Sequence, residues 1–92
     1  MLRITDRPKP DGVTLVLEGR LAGPWVDELT RCWAALLPTH DARAIRVQLD
    51  AVTFVDAAGR ALLRAMHERG AVLEASGGMN RLLLDEITDR RP

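Results

Sequence analysis

Asp56 is the residue of this chain best placed for chemistry, because it joins the apolar run Val52-Thr53-Phe54-Val55 to the helix-like Ala57-Ala58-Gly59-Arg60-Ala61-Leu62-Leu63. A carboxylate at such a junction accepts hydrogen bonds from the N–H groups of Ala58 and Gly59 as a helix N-cap. Catalysis there needs a second acid, a base or a metal ligand. Asp50 is the nearest candidate, and the two carboxylates together are what a magnesium ion or a phosphoryl acceptor would use. Such a site also wants a following lysine, and the only lysine is Lys9. Between Asp56 and Gly59 stand two alanines and no hydroxyl, thiol, imidazole or amine. The expectation is therefore a presented turn with no catalytic residue, no cofactor and no metal.

The remaining reactive side chains are scattered. His40 lies in a loop beside Asp41, and His67 lies on the polar side of the second helix; neither has a partner at metal-ligand spacing. Cys32 falls in the apolar stripe of the first helix, where a thiol acts as a small hydrophobe without a base to activate it. Gly77-Gly78 before a helix is a minimal anion cradle that lacks further glycines and a following lysine. Thr53 is the only hydroxyl close to the Asp56 turn, and its strand position predicts burial.

Punctuation along the chain sets the elements that hold these residues. Leu2 to Thr5 reads as a strand, Arg7 to Gly12 as a turn, and Val13 to Glu18 as a second strand, together an antiparallel hairpin. Gly19 to Gly23 connects to a helix from Pro24 to Leu37, with proline at its first position and Asp27 and Glu28 at the positive end of its dipole. Trp25, Leu29, Cys32, Trp33 and Leu36 recur at helical spacing, with Val26 and Leu37 widening the stripe. Pro38 ends that helix. After the loop Thr39 to Arg43, a third strand is expected over Ala44 to Leu49, and a second helix over Ala57 to Arg69 with Ala58, Ala61, Leu62, Ala65 and Met66 inward. Gly70 is placed for a left-handed cap. Ala71 to Ala75 is a fourth strand, Ser76 to Gly78 a turn, and Met79 to Ile87 a third helix with Leu82, Leu83 and Ile87 inward. Thr88 to Pro92 reads as a frayed tail. The order ββαβαβα predicts an α/β domain, with a mixed, mostly parallel four-stranded sheet covered by helices.

Length and charge narrow the function classes. Ninety-two residues make a single small domain, 1–92. Thirteen basic and thirteen acidic residues cancel, so no overall field draws nucleic acid or an anionic membrane. No apolar run reaches the roughly twenty residues of a membrane helix. A lone cysteine and an N-terminus without an apolar signal core predict a reducing compartment, the cytoplasm.

Val52-Thr53-Phe54-Val55-Asp56-Ala57-Ala58-Gly59 resembles the signature of the STAS family of sulfate transporter and anti-sigma factor antagonist domains, in which a strand and an Asp-Ser-Ser/Thr-Gly turn lead into a helix. Leu17-Glu18-Gly19-Arg20-Leu21 is similar to that family's Leu-x-Gly-x-Leu, and the element order matches from residue 1 to about residue 87. The resemblance implies a binding module rather than an enzyme. It makes Asp56, Ala57, Ala58, Gly59 and Arg60 the partner-binding turn and helix start, with Ala57 where switched members carry the serine that a kinase modifies. A methyl group accepts no phosphate, and Ala58 removes the second hydroxyl. Ala22 and Gln48 replace an aspartate and an Asp/Asn of the family pattern, which argues against bound nucleotide. The implied partner is a kinase-like anti-sigma factor. The resemblance also admits an accessory subunit bound to a transporter ATPase, and the residues alone admit a small phosphoacceptor or enzyme built on Asp56 and Asp50. The last strand and helix of many members have no counterpart here, so the fourth strand becomes an expected sheet edge that a partner or second copy could cover.

Overall fold

In the computed structural model, which describes residues 1–76 and 78–88, the order is β1 (Leu2–Lys9), β2 (Gly12–Leu21), α1 (Pro24–Leu36), β3 (Ile45–Val55), α2 (Ala57–Glu68), β4 (Val72–Glu74) and α3 (Gly78–Thr88). A single 3-10 turn, Ala42–Ala44, precedes β3. The four strands form one sheet in the order β1-β2-β3-β4. β1 and β2 pair antiparallel, and β2 with β3 and β3 with β4 pair parallel.

Both crossovers, β2-α1-β3 and β3-α2-β4, step the same way across the sheet. Right-handed connection then places their helices on the same face. Burial alternates accordingly: Val13, Leu15 and Leu17 of β2 and Ile45, Val47 and Leu49 of β3 are buried, while Arg46 between them is exposed. The expected cover of helices therefore lies on one face, and Arg46 ion-pairs with Glu74 at 2.9 Å on the other. Val26, Leu29 and Trp33 of α1, Leu63 and Met66 of α2, and Ile87 of α3 complete the core. Each fully buried leucine among them contributes roughly 1.5 to 3 kcal/mol.

Several boundaries differ from the sequence expectation. The hairpin is longer: β1 continues to Lys9, Lys9 pairs with Gly12, and the turn shrinks to Pro10-Asp11. Gly19 to Leu21, expected as a connection, belongs to β2 because its register with β3 persists to Leu21 and Val55. β3 runs six residues past Leu49, because two slips absorb the residues that spoil its alternation. Pairing jumps from Val16 with Gln48 to Glu18 with Ala51, and from Gly19 with Val52 to Arg20 with Phe54. Each slip adds one residue to β3 and turns the strand over. Thr53 is the extra residue of the second slip, and for that reason it is exposed, not buried as its strand position predicts. Thr88 belongs to α3, its hydroxyl donating to the Leu84 carbonyl at 2.9 Å; the rest of the expected tail and Gly77 lie outside the described residues.

Two helix faces are also corrected. Gly59, Leu63 and Met66 are the buried positions of α2, with Leu62 half-buried, whereas Ala58, Ala61 and Ala65 are exposed. On α3 Leu82 is 61% exposed, and Leu83, Leu84 and Ile87 pack inward. Gly70 behaves as expected. Its φ of 116° lets its N–H donate to the His67 carbonyl and the Ala71 N–H to the Met66 carbonyl, a Schellman termination of α2. Among the described residues no helix is long and apolar enough to cross a membrane.

Candidate functional site: the turn before α2

Asp56 ends β3 and caps α2 with an extended backbone, φ −82° and ψ −179°. One carboxylate oxygen accepts the Gly59 N–H at 2.7 Å, the N3 position of the helix. The other accepts the Gly23 N–H at 3.0 Å, so the second bond goes to the residue that starts α1 and not to Ala58. Gly23 has φ 59° and no side chain to cap its own helix, and Pro24 follows at the first turn. The carboxylate of Asp56 therefore serves both helix starts, and the Asp56 N–H donates to the Leu21 carbonyl at 3.1 Å to hold the ends of β2 and β3 together.

These bonds hold the Asp56 carboxyl below its usual range, the Gly23 N–H first and the Gly59 N–H second. A depressed folded-state value means stability that is present above the unfolded carboxylate pKa, about 3.9, and lost as pH falls through the folded value. Asp56→Asn isolates this term. Asparagine is as good an N-cap as aspartate, yet it offers one acceptor oxygen and turns its NH2 toward the remaining N–H. Melts from pH 2 to pH 7 should show the variant roughly 5 °C less stable at neutral pH, with the gap closing in acid. A gap that stayed constant down to pH 2 would remove the shared carboxylate as its cause. Asp41, held low by its hydrogen bonds with Arg43, shifts both proteins equally and cancels in the difference.

Gly59 is buried against the sheet. A Cβ at this position would stand 2.8 Å from the Leu21 carbonyl oxygen and 2.8 Å from Val55 Cγ1. This glycine lets α2 approach β2 and β3 closely, whereas Ala58, Ala61 and Ala65, expected to face inward, are exposed. Gly59 is thus a packing residue beneath the turn, while Ala57, Ala58 and Arg60 form its exposed part. Phe54 is 44% exposed beside them, with the Arg20 guanidinium stacked 4.5 Å from its ring centre. The two residues are register partners on β2 and β3.

A residue missed in the sequence fixes the far side of the site. The Asn80 side-chain NH2 on α3 donates to the carbonyls of Leu49, Asp50 and Val52, at 2.6, 3.1 and 3.0 Å. β4 pairs with β3 only as far as Gln48, so among the described residues this stretch has no strand neighbour on that side, and Asn80 supplies the donors. Asp50 is engaged there too, accepting from the N–H and hydroxyl of Ser76 at 2.6 and 3.0 Å. The only signal available beforehand was a single asparagine among leucines.

Asp50 and Asp56 therefore engage different neighbours, Ser76 for the first and Gly23 with Gly59 for the second. Among the described residues no three His, Cys, Asp or Glu side chains gather in a metal-holding group. His40 contacts the Thr39 hydroxyl at 3.0 Å in its loop. His67 lines a cavity of about 570 Å³ between β4, the end of α2 and α3, away from Asp56. Cys32 is half-buried, and burial, followed by Asp6 and Glu28, pushes its thiol up, which keeps it protonated.

No protein-family model matches the chain, and no curated protein matches it significantly. Among solved structures it is similar to an anti-sigma factor antagonist from Mycobacterium paratuberculosis, with TM-score 0.76 and 19% identity over 94% of this chain and 81% of that one. It also matches Mglu with TM-score 0.60 and 18% identity, covering 82% of this chain but 19% of that one. At these identities the likeness establishes the fold: a small STAS-like α/β domain in the order ββαβαβα.

Proposed function

We propose that this STAS-like domain is a non-catalytic protein-interaction module of the anti-sigma factor antagonist type, which binds a kinase-like anti-sigma factor through the turn Asp56–Arg60 without a phosphorylation switch. One observation carries the reading. Ala57 and Ala58 are exposed at the start of α2, and the adjacent carboxylate is consumed by two backbone N–H groups. Such a surface presents shape and methyl groups, with no nucleophile or acid free to react. The similar anti-sigma factor antagonist supports the choice of partner class.

A phosphate at the first helical position would bring up to two negative charges into this surface. Ala57→Glu places one charge there without harming the fold, since the positive end of the helix dipole favours a carboxylate. Immobilised protein, probed with the kinase-like anti-sigma factors of its own source, should retain one of them and lose it at least tenfold in Ala57→Glu, with Ala65→Glu on the same helix unaffected. Equal binding by Ala57→Glu, or retention of none, would sink the proposal. Ala57→Ser should restore the acceptor and make binding sensitive to that kinase and ATP.

A further inference from the structure

Beside the turn, Thr53, Phe54, Val55, Arg60, Asn80 and Leu83 line a groove of about 230 Å³ between the end of β3 and α3. The second slip of β3 creates it by turning Phe54 outward at the strand's C-terminal end. Phe54, Val55 and Leu83 give it apolar surface beside the polar Thr53 and Asn80, and the charge around it is uneven. Arg20 lies over the Phe54 ring, and among the described residues no carboxylate pairs with it. Stacking occupies the face of a guanidinium and leaves its in-plane N–H donors free for a carboxylate. Arg60 stands at the groove itself and meets Glu86 at 2.7 Å; both side chains are more than half exposed, a class of pair that contributes little and exchanges readily. Arg64, one turn further along α2, is exposed as well. Arg60 thus lines this slot and Arg20 covers the ring that forms part of its wall, with Glu86, among the described residues, the acid paired to Arg60.

Resting on the reading of the turn as a binding surface, we infer that this groove is the specificity pocket of that surface and receives a large apolar side chain flanked by carboxylates on the partner protein. Apolar anchors in pockets next to arginines are where interface affinity concentrates, and charge complementarity at the rim selects among partners. Phe54, Arg20 and Arg60 are the residues that make the selection.

Selection of random twelve-residue peptides on the immobilised full chain tests this without knowledge of the partner. The enriched peptides should carry Leu, Met or Phe with Asp or Glu within a few positions. Their affinity should fall at least tenfold in Phe54→Ala and in Arg20→Glu, and fall in 0.5 M salt, with melting temperatures near that of the parent. Arg60→Gln should weaken them less, since Arg60 already has an acidic neighbour. Enrichment of basic peptides, recovery of none, or affinity untouched by Phe54→Ala and Arg20→Glu overturns the inference. Peptides lost in Ala57→Glu but kept in Phe54→Ala would overturn the pocket and leave the binding turn standing. Peptides kept in all these variants would count against both.

Discussion

Asn80→Asp is expected to lower the melting temperature by roughly 10 °C or more at neutral pH, although only an NH2 is exchanged for an oxygen. The side chain faces three carbonyl oxygens, so its inner atom must be a donor. An ionised carboxylate there sets negative charge against three acceptors and leaves the half-buried Leu49 and Val52 carbonyls without partners, each such loss costing about 1 to 3 kcal/mol. Asn80→Ala should do less harm, since water can reach the space it vacates. In the Asp variant the carboxyl is more stable protonated in the folded state, so its folded pKa is raised. Stability should therefore be best in acid and fall as pH rises through that value. Amide exchange should localise the damage: faster in α3 and in residues 49–55, with the β1-β2 hairpin protected as before. Uniform loss of protection, or a variant as stable as the parent, would show that α3 is held by Leu83, Leu84 and Ile87 alone.

Gly59→Ala sets two effects against each other, and packing should win. Alanine is favoured over glycine within a helix by up to about 1 kcal/mol, and on that ground alone the variant should melt higher. The added methyl, however, meets the Leu21 carbonyl and Val55 at 2.8 Å. The carbonyl cannot simply withdraw, because it accepts the Asp56 N–H. α2 must lift, and overpacking of this kind costs about 1 to 3 kcal/mol. A net loss of roughly 4 to 8 °C is expected. The same movement would disturb Asp56, so the acid dependence should weaken together with the melting temperature. A higher melting temperature with an unchanged pH profile would mean that α2 stands further from the sheet than the structure has it.

Local signals accounted for most of the architecture. Pro24, Asp56 and Gly70 each mark a helix boundary through a bond or a torsion made within a few residues, and all three are found where such signals place them. The phase of α2 was not legible in the same way. Four alanines along the helix fit either of two neighbouring stripes, and the burial of Gly59 with Leu63 and Met66 shows which one faces the sheet. β3 was cut short because Asp50-Ala51 breaks its alternation, and a slip cannot be read without the partner strand. At the site, Asp56 was visible as a cap, but its bond to Gly23 spans 33 residues and those of Asn80 about 30. Contacts at such separations have no periodicity to betray them. The resemblance to STAS domains supplied the turn, while Phe54 and Arg20 became prominent only once their strands were in register.

The two slips in β3 behave like a frameshift and its suppressor. Ile45, Val47 and Leu49 are inward at odd positions, Val52 between the slips is inward at an even one, and Val55 after them is packed inward at an odd one again. The first insertion puts the strand out of frame, and the second restores it just before Asp56. Hence the strand delivers its final residues in the same phase as its first, with an interruption that yields Asp50 to catch Ser76 and Phe54 to face the groove. When such strands are aligned between proteins, the gaps in this segment must be placed in pairs, because a single gap would exchange every buried residue after it for an exposed one.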